Sequence, residues 1–183
     1  MSRHTGQDAL VFFTAGQLTL RAPEHLEAAR HGYEFLRDRM WDKDFGGFYW
    51  EVGASGHAAT RTEKQMYGQA VALYALTEYA LASGDPAAKG IATELFNLME
   101  TKGHDTKHGG YRDILQRDWS PVPKRATTNT DYALGIKRMN THLHLLEAIT
   151  TFLVLTDELR ARQRLVELIF VNSNSVVEES HSL

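Results

Sequence analysis

The chain has 183 residues, 43% of them hydrophobic and 23% charged, and its 20 Lys and Arg are scattered among 23 Asp and Glu, giving a formal net charge of −3. This size and composition predict one globular domain over residues 1–183 and exclude a dedicated nucleic-acid-binding protein, because no basic block is present. The sequence has no cysteine, which excludes disulfide and thiolate chemistry; it also lacks the pattern of a secretory signal and any apolar stretch of membrane-spanning length, so we expect a cytoplasmic location.

Apolar residues recur at three- and four-residue steps along most of the chain, which predicts about six helices. In chain order these are residues 6–20, 24–41, 64–83, 86–103, about 137–155 and 159–170. Pro23 and Pro86 suit a first helical turn, where no backbone N–H is needed, and Asp157 is a candidate cap of the last helix. Six helices pair naturally as three hairpins.

Two segments between the predicted helices share one pattern. Asp42–Phe48 and Asp105–Tyr111 both read D-x-x-x-G-G-aromatic, 63 residues apart, and each precedes a short extended segment that suits a strand at a hairpin rim. Asp and Gly occur in many turns, but two copies at matched positions favour a repeat in which each hairpin packs against the next. A third copy is expected near residues 168–174, where no Gly-Gly pair is found.

The segment Met139–Glu147 is the clearest candidate for contact with a ligand. Asn140 and His144 are four residues apart and share a helix face, which Glu147 continues. We expect a buried polar seam, whose partners are protein, water or ligand. An amide and an imidazole suit the hydroxyls of a carbohydrate, although a hydrogen-bond network within the protein would use the same pattern. His142 points elsewhere and is expected to make structural hydrogen bonds.

Tyr67 and Gln69, near the start of the third predicted helix, are candidates for substrate contact. The alternative roles are a core aromatic and a surface amide. Three further aromatic residues lie near the predicted rims, where they would stack on a sugar or seal the core: Trp41, Trp50 and Trp119.

Other kinds of site have no support in the sequence. His104 and His108 flank the second Gly-Gly segment and are most simply surface residues. No metal-ligand spacing, phosphate-binding loop, dinucleotide fingerprint or nucleophile elbow is found, so we expect no metal and no cofactor.

Taken together, these residues resemble the N-acylglucosamine 2-epimerase family, and most closely its cellobiose 2-epimerase and mannose 2-epimerase branch. The resemblance covers roughly residues 9–157. It rests on segments that follow the order found in the family: Trp41–Trp50 (WDKDFGGFYW), Lys64–Leu76 (KQMYGQAVALYAL), Gly109–Tyr111 (GGY), Arg117–Pro121 (RDWSP) and Met139–Ala148 (MNTHLHLLEA).

The resemblance implies an all-α fold, in which about three helical hairpins form part of an (α/α)6 barrel with short β-hairpin insertions at the rim. It also implies epimerisation or aldose–ketose isomerisation at C2 of a sugar through a cis-enediolate. Asn140 and His144 match catalytic family residues that bind the O1/O2 region and stabilise the enediolate. Tyr67 matches a residue that contacts the substrate, and we group Gln69 and Glu147 with it as substrate-binding residues.

The sequence also departs from the family. Ala9, just before Leu10–Phe13, stands where the family has an arginine, and the two histidines that transfer protons lie in a part of the family pattern that this chain does not match. The sequence therefore predicts an epimerase-family chain, truncated relative to the family, that holds a small-molecule sugar without its acid/base pair. One alternative is a catalytically inactive sugar-binding or regulatory module. Another is a homodimer of two half-barrels; no membrane or nucleic-acid partner is expected.

Overall fold

Five of the predicted helices are present in the computed structural model, which describes residues 4–5, 23–53, 56, 59–123 and 137–180. The helices are α1 (Pro23–Phe35), α2 (Met66–Ser83), α3 (Pro86–Leu98), α4 (Met139–Thr156) and α5 (Leu159–Ser180). The helix predicted over residues 6–20 lies outside the described residues. None of the helices in the described ranges is both long and apolar enough to span a membrane.

The helix ends differ from the predicted ones in ways that have local causes. α1 and α3 each end in a five-residue π-helical turn, Leu36–Met40 and Met99–Gly103. α2 begins at Met66 rather than Lys64, because Lys64 and Gln65 form a strand. Asp157 was expected to cap the last helix; instead it closes α4 in the left-handed region, with φ +51° and its N–H donating to the carbonyl of Leu153.

The helices pack as hairpins around a shared core. α2 packs on α3, α4 packs on α5, and the most extensive helix–helix contact joins α2 to α4. α2 is apolar around most of its circumference, as expected for a helix enclosed by neighbours. Stacked rings pack at two further helix contacts: the ring centroid of Tyr33 on α1 lies 4.7 Å from that of Tyr79 on α2, and the ring centroid of Phe96 on α3 lies 4.5 Å from that of Phe152 on α4.

Short strands join the hairpins at one end of the molecule. β1 (His4–Thr5), β2 (Glu51–Val52) and β3 (Ala59–Arg61) form an antiparallel sheet in that order. β4 (Lys64–Gln65) pairs antiparallel with β5 (Ile114–Leu115), with Lys64 opposite Leu115. Because β4 leads directly into α2, this pairing fixes the start of α2 against the segment that follows the second hairpin.

The two Gly-Gly segments have the same backbone structure, and we name them the first rim turn (Asp42–Phe48) and the second rim turn (Asp105–Tyr111). In the first, the N–H of Asp42 donates to the carbonyl of Gly47 at 2.8 Å, and in the second the N–H of Asp105 donates to that of Gly110 at 2.8 Å. All four glycines have φ between 66° and 70°, a conformation that disfavours other residues. The predicted repeat of the two turns is therefore confirmed.

The repeat continues beyond the turns. α2 and α4 both have 18 residues and begin with a methionine, 73 residues apart. At the same offset, Lys64 and Lys137 each form an ion pair with the first aspartate of a rim turn: Lys64 with Asp42 at 2.9 Å, and Lys137 with Asp105 at 2.8 Å. The repeating unit therefore consists of a rim turn, a lysine and the helix that follows it.

Candidate functional site

Three aromatic side chains meet where α2 and α4 begin. Tyr67 is the second residue of α2, and its ring centroid lies 4.9 Å from that of His144 on α4, edge to face at 85°. On its other side Tyr67 contacts Trp50, with ring centroids 6.2 Å apart. All three side chains are partly exposed. The packing of α2 on α4 therefore brings together residues that are far apart in sequence and places them at the rim.

The polar residues of α4 flank this aromatic cluster. Asn140 lies one helical turn before His144, is exposed, and makes no side-chain hydrogen bond to the other described residues. Glu147 is also exposed, and its Oε2 lies 2.8 Å from Nδ1 of His144. The expectation of a buried seam is wrong for Asn140 and Glu147, because both side chains are exposed although His144 between them contacts Tyr67 of α2. It is the exposed face that can meet a ligand.

Gln69 is buried, and both polar atoms of its amide contact the first rim turn. Its Oε1 accepts the N–H of Phe48 at 2.9 Å, and its Nε2 donates to the carbonyl of Phe48 at 2.8 Å. The side chain thus fastens the turn to α2. A substrate-binding role for Gln69 stays a prediction. In the structure, both polar atoms of its amide are used in hydrogen bonds to the backbone of Phe48.

His142 does for the second rim turn what Gln69 does for the first. It is buried, as expected for a structural residue; its Nδ1 lies 2.8 Å from the carbonyl oxygen of Arg138, and its Nε2 accepts the N–H of Tyr111 at 3.0 Å. This arrangement requires the proton on Nδ1. The predicted structural role of His142 is confirmed.

A buried ion cluster supports the first rim turn, and sequence reasoning missed it. Asp42 and Lys64 are both fully buried and form an ion pair at 2.9 Å, while Arg117 donates two hydrogen bonds of 2.9 Å to the same carboxylate. Burial by itself raises the pKa of Asp42, but the hydrogen bonds from Arg117 and Lys64 outweigh it and hold the pKa well below its ordinary value. Burial also lowers the pKa of Lys64. The signal that could have revealed it is that each rim turn is followed by a lysine two residues before the next helix, Lys64 before Met66 and Lys137 before Met139.

A second ionic cluster attaches the second rim turn to α5. His104 was expected at the surface; instead its side chain is mostly buried, and its Nε2 lies 2.8 Å from Oε1 of Glu167. That oxygen also accepts the N–H of Gly110 at 2.6 Å. Arg164 joins Glu167 to Glu100, which accepts a short hydrogen bond from the hydroxyl of Tyr111. His108 is exposed, as expected.

The tryptophans near the rim have different surroundings. Trp119 is buried and covers the first rim turn, and its Nε1–H donates to the carbonyl of Phe45 at 3.2 Å. A Cβ at Gly47 would lie 2.4 Å from Cζ2 of Trp119, so this position requires glycine for space as well as for its φ. Trp41 packs edge to face on Phe48. Of the three, Trp50 is the one adjacent to the Tyr67–His144 contact.

No group of three or more His, Asp or Glu within the described ranges is arranged to hold a metal ion.

Comparisons with known proteins agree with one another. A family model described as N-acylglucosamine 2-epimerase (GlcNAc 2-epimerase) matches residues 3–182. The chain is 32% identical over 170 residues to cellobiose 2-epimerase of Bacteroides fragilis, covering 93% of this chain and 43% of that protein. It is 28% identical over 151 residues to D-mannose isomerase of Marinomonas mediterranea, covering 81% of this chain and 34% of that protein.

A solved structure matches as well. Cellobiose 2-epimerase from Spirochaeta thermophila superposes with a TM-score of 0.80 and 38% sequence identity, covering 91% of this chain and 41% of that one. The chain thus spans less than half the length of the relatives it matches.

Proposed function

The chain belongs to the N-acylglucosamine 2-epimerase family, and on that basis we propose that it forms part of a sugar 2-epimerase or aldose–ketose isomerase that acts at C2. We propose also that its hairpins form part of an (α/α)6 barrel, with the rim turns lining the end where the sugar binds. The observation that supports the proposal most directly is the meeting of Tyr67 with His144, which leaves Asn140 exposed beside them.

The proposed chemistry begins with the ring-opened sugar, whose C2 proton is only weakly acidic. Removing it creates an enediolate with negative charge on O1 and O2, and donors already in place stabilise that charge as it develops. The amide of Asn140 supplies N–H donors, and the imidazole of His144 supplies a second group within one helical turn. Glu147 orients the His144 ring through Nδ1, which leaves Nε2 for the ligand. The rings of Tyr67 and Trp50 offer an apolar surface for a sugar face.

We assign the chain the orientation of substrate and the stabilisation of charge, not the transfer of the proton. The segments that resemble the family do not include its two proton-transfer histidines. We therefore expect no deuterium at C2 when the 183-residue chain is incubated with mannose, glucose or cellobiose in D2O and the C2 proton signal is followed by NMR. Robust exchange would refute this division of roles, and exchange abolished by His144→Ala would reassign His144 as a proton-transfer group.

The alternative is a catalytically inactive sugar-binding or regulatory module, which the exposure of Asn140 beside His144 also favours. Saturable binding of mannose or cellobiose, abolished in both Asn140→Ala and His144→Ala with helicity unchanged, would identify binding as the chain's own activity. Thr150→Ala is the matched control, because Thr150 is exposed on the same helix but six residues beyond His144 of the aromatic cluster. Loss of binding in the control would show a general effect on α4.

We propose in addition that the chain self-associates as a homodimer through an exposed apolar surface on α4 and α5. Its residues are between 41% and 71% exposed: Leu143, Val154, Val166, Ile169 and Phe170. The repeat supports this proposal, because Leu143 corresponds to Ala70 and Ile169 to Phe96, which are both fully buried, Phe96 against Phe152 of α4. Covering this surface removes apolar area from water.

A further inference from the structure

The two rim turns are fastened to the following helix by different residues in equivalent positions. Gln69 and His142 are each the fourth residue of an 18-residue helix, and each accepts the N–H of the aromatic residue that ends the preceding rim turn. The distances are 2.9 Å from the N–H of Phe48 to Gln69 and 3.0 Å from that of Tyr111 to His142. An amide cannot gain a proton near neutral pH, whereas an imidazole can.

The hydrogen bonds of His142 are compatible with one protonation state. Nδ1 faces a carbonyl oxygen, that of Arg138, and must carry a hydrogen; Nε2 faces an N–H, that of Tyr111, and must present a lone pair. An imidazolium carries hydrogens on both nitrogens. Protonation would therefore set two N–H groups against each other and leave the buried N–H of Tyr111 without an acceptor.

The ring of His142 packs closely against the backbone of the second rim turn. A Cβ on Gly110 would lie 2.6 Å from Nε2 of His142, so the ring sits directly against the second glycine of the turn. Gly110 has φ +66°, and its own N–H is held by Glu167 of α5. The imidazole is thus enclosed by its own helix, the second rim turn and α5.

Charged groups approach His142 from each of these elements, and they oppose one another. Burial is the largest influence and lowers the pKa of His142; the carbonyl of Arg138 raises it, Lys137 lowers it, and Asp113 and Glu167 raise it. Further charged or titratable groups lie at the same turn and on α5: Arg138 paired with Asp113, Asp105 paired with Lys137, and Arg164 and His104 both beside Glu167. Together these influences lower the pKa of His142 below its ordinary value, which favours the neutral ring that the hydrogen bonds require.

From this geometry we infer that His142 is a positioning residue whose neutral imidazole holds the second rim turn against the start of α4, and that its protonation releases this turn. Asn140 lies two residues before His142 and His144 two residues after it. Release of the turn therefore also changes the local environment of these two ligand-facing residues. The attachment of the first rim turn does not depend on protonation in this way, because it is made by the amide of Gln69. The inference concerns the chain's own structure and does not depend on the proposed sugar chemistry.

The test compares two amides within one molecule. Hydrogen exchange of the Tyr111 and Phe48 amides is measured from about pH 7.5 to about pH 5 and corrected for intrinsic rates. We expect protection of Tyr111 to fall by a factor of roughly 5–10 relative to Phe48, which is the size of one lost hydrogen bond. The midpoint lies below the ordinary histidine value, and the amide shifts of Asn140 and His144 should follow the same midpoint.

Substitutions provide the matched controls. His142→Gln introduces the Gln69 arrangement at the second rim turn, because Gln69 and His142 occupy equivalent helix positions and accept an N–H at 2.9 Å and 3.0 Å. This variant should remove the acid dependence of Tyr111. Gln69→His should transfer the dependence to Phe48. Two other histidines lie at this turn, His104 beside Glu167 and His108 beside Asp105. His104→Gln and His108→Gln should each leave the dependence of Tyr111 in place.

Three outcomes would overturn the inference. They are equal loss of protection at Tyr111 and Phe48 in the unaltered chain, full acid dependence in His142→Gln, or imidazole nitrogen spectra that place the proton of His142 on Nε2 near neutral pH. If His142→Gln fails to fold, the comparison of the two amides and the imidazole spectra in the unaltered chain still decide the question.

Discussion

Removing the charge of Asp42 should destabilise the chain far more than the same change at its repeat equivalent, Asp105. In Asp42→Asn, the fully buried ammonium of Lys64 loses its counter-charge. Leaving one partner of a buried ion pair uncompensated costs about 3–5 kcal/mol. The rings of Tyr49 and Trp119, with centroids 5.1 Å and 6.0 Å from Nζ of Lys64, offset part of this cost, so we expect a value near the lower end, about 3 kcal/mol.

The companion variants separate the charge from the shape of the site. Asp105→Asn should cost at most about 1 kcal/mol, because the Lys137–Asp105 pair is partly exposed to water. Lys64→Met should cost less than Asp42→Asn, because Asp42 keeps its bonds to Arg117. The double variant Asp42→Asn/Lys64→Met should be more stable than Asp42→Asn, since it leaves no unpaired buried charge.

Urea unfolding followed by circular dichroism gives the free energy of unfolding of each variant. The stability of Asp42→Asn should also rise with pH more steeply than that of the unaltered chain. Burial lowers the pKa of Lys64 in the folded state. In Asp42→Asn the unfolded chain therefore keeps the Lys64 proton to a higher pH than the folded chain does, so the free energy of unfolding increases as the pH rises. Equal losses for Asp42→Asn and Asp105→Asn, or a double variant no more stable than Asp42→Asn, would refute the reasoning.

Three further predictions concern the turn, acid and self-association. Gly47→Ala should cost more than Gly84→Ala by over 1 kcal/mol in urea unfolding, because both glycines have positive φ but a Cβ at Gly84 meets nothing within 4 Å; equal costs would contradict the steric argument. Since the pKa of Asp42 is lowered in the folded state, the contribution of its ionised carboxylate to stability should be complete above about pH 4 and be lost as the pH falls further. Thermal unfolding midpoints that stay unchanged down to about pH 2 would refute this contribution. Light scattering should show a concentration-dependent dimer that Ile169→Glu weakens more than the control Gln163→Glu, and a monomer at all concentrations would refute self-association.

Much of the helical framework could be predicted because the signals are local. Apolar periodicity located α1 to α5, and prolines marked the starts of α1 and α3. Helix ends were less predictable. The π-helical turns after Phe35 and Leu98 close through local bonds, from the N–H of Trp41 to Leu36 and from that of His104 to Met99, which apolar periodicity does not reveal. The strand at Lys64–Gln65 depends on its pairing with Ile114–Leu115, which is distant in sequence.

The candidate site was only partly predictable. The spacing of Asn140, His144 and Glu147 placed them on one face of α4, which the structure bears out. That this face is exposed, and that His144 meets Tyr67, depends on how α2 packs on α4. The burial of His104 could not be predicted, since its partner Glu167 is 63 residues away.

The sequence by itself determined the repeat: two D-x-x-x-G-G-aromatic turns, each at the end of one predicted helix and before a short extended segment. Glycine is required by local backbone geometry, and helix formation follows from the period of the apolar residues, so both can be read within a short window. Only the tertiary structure decided which side chains hold those turns. Gln69 reaches Phe48 across 21 residues and Arg117 reaches Asp42 across 75. The physical reason is that a buried polar group must find a partner wherever the packed helices provide one, and the chain's order does not reveal that place.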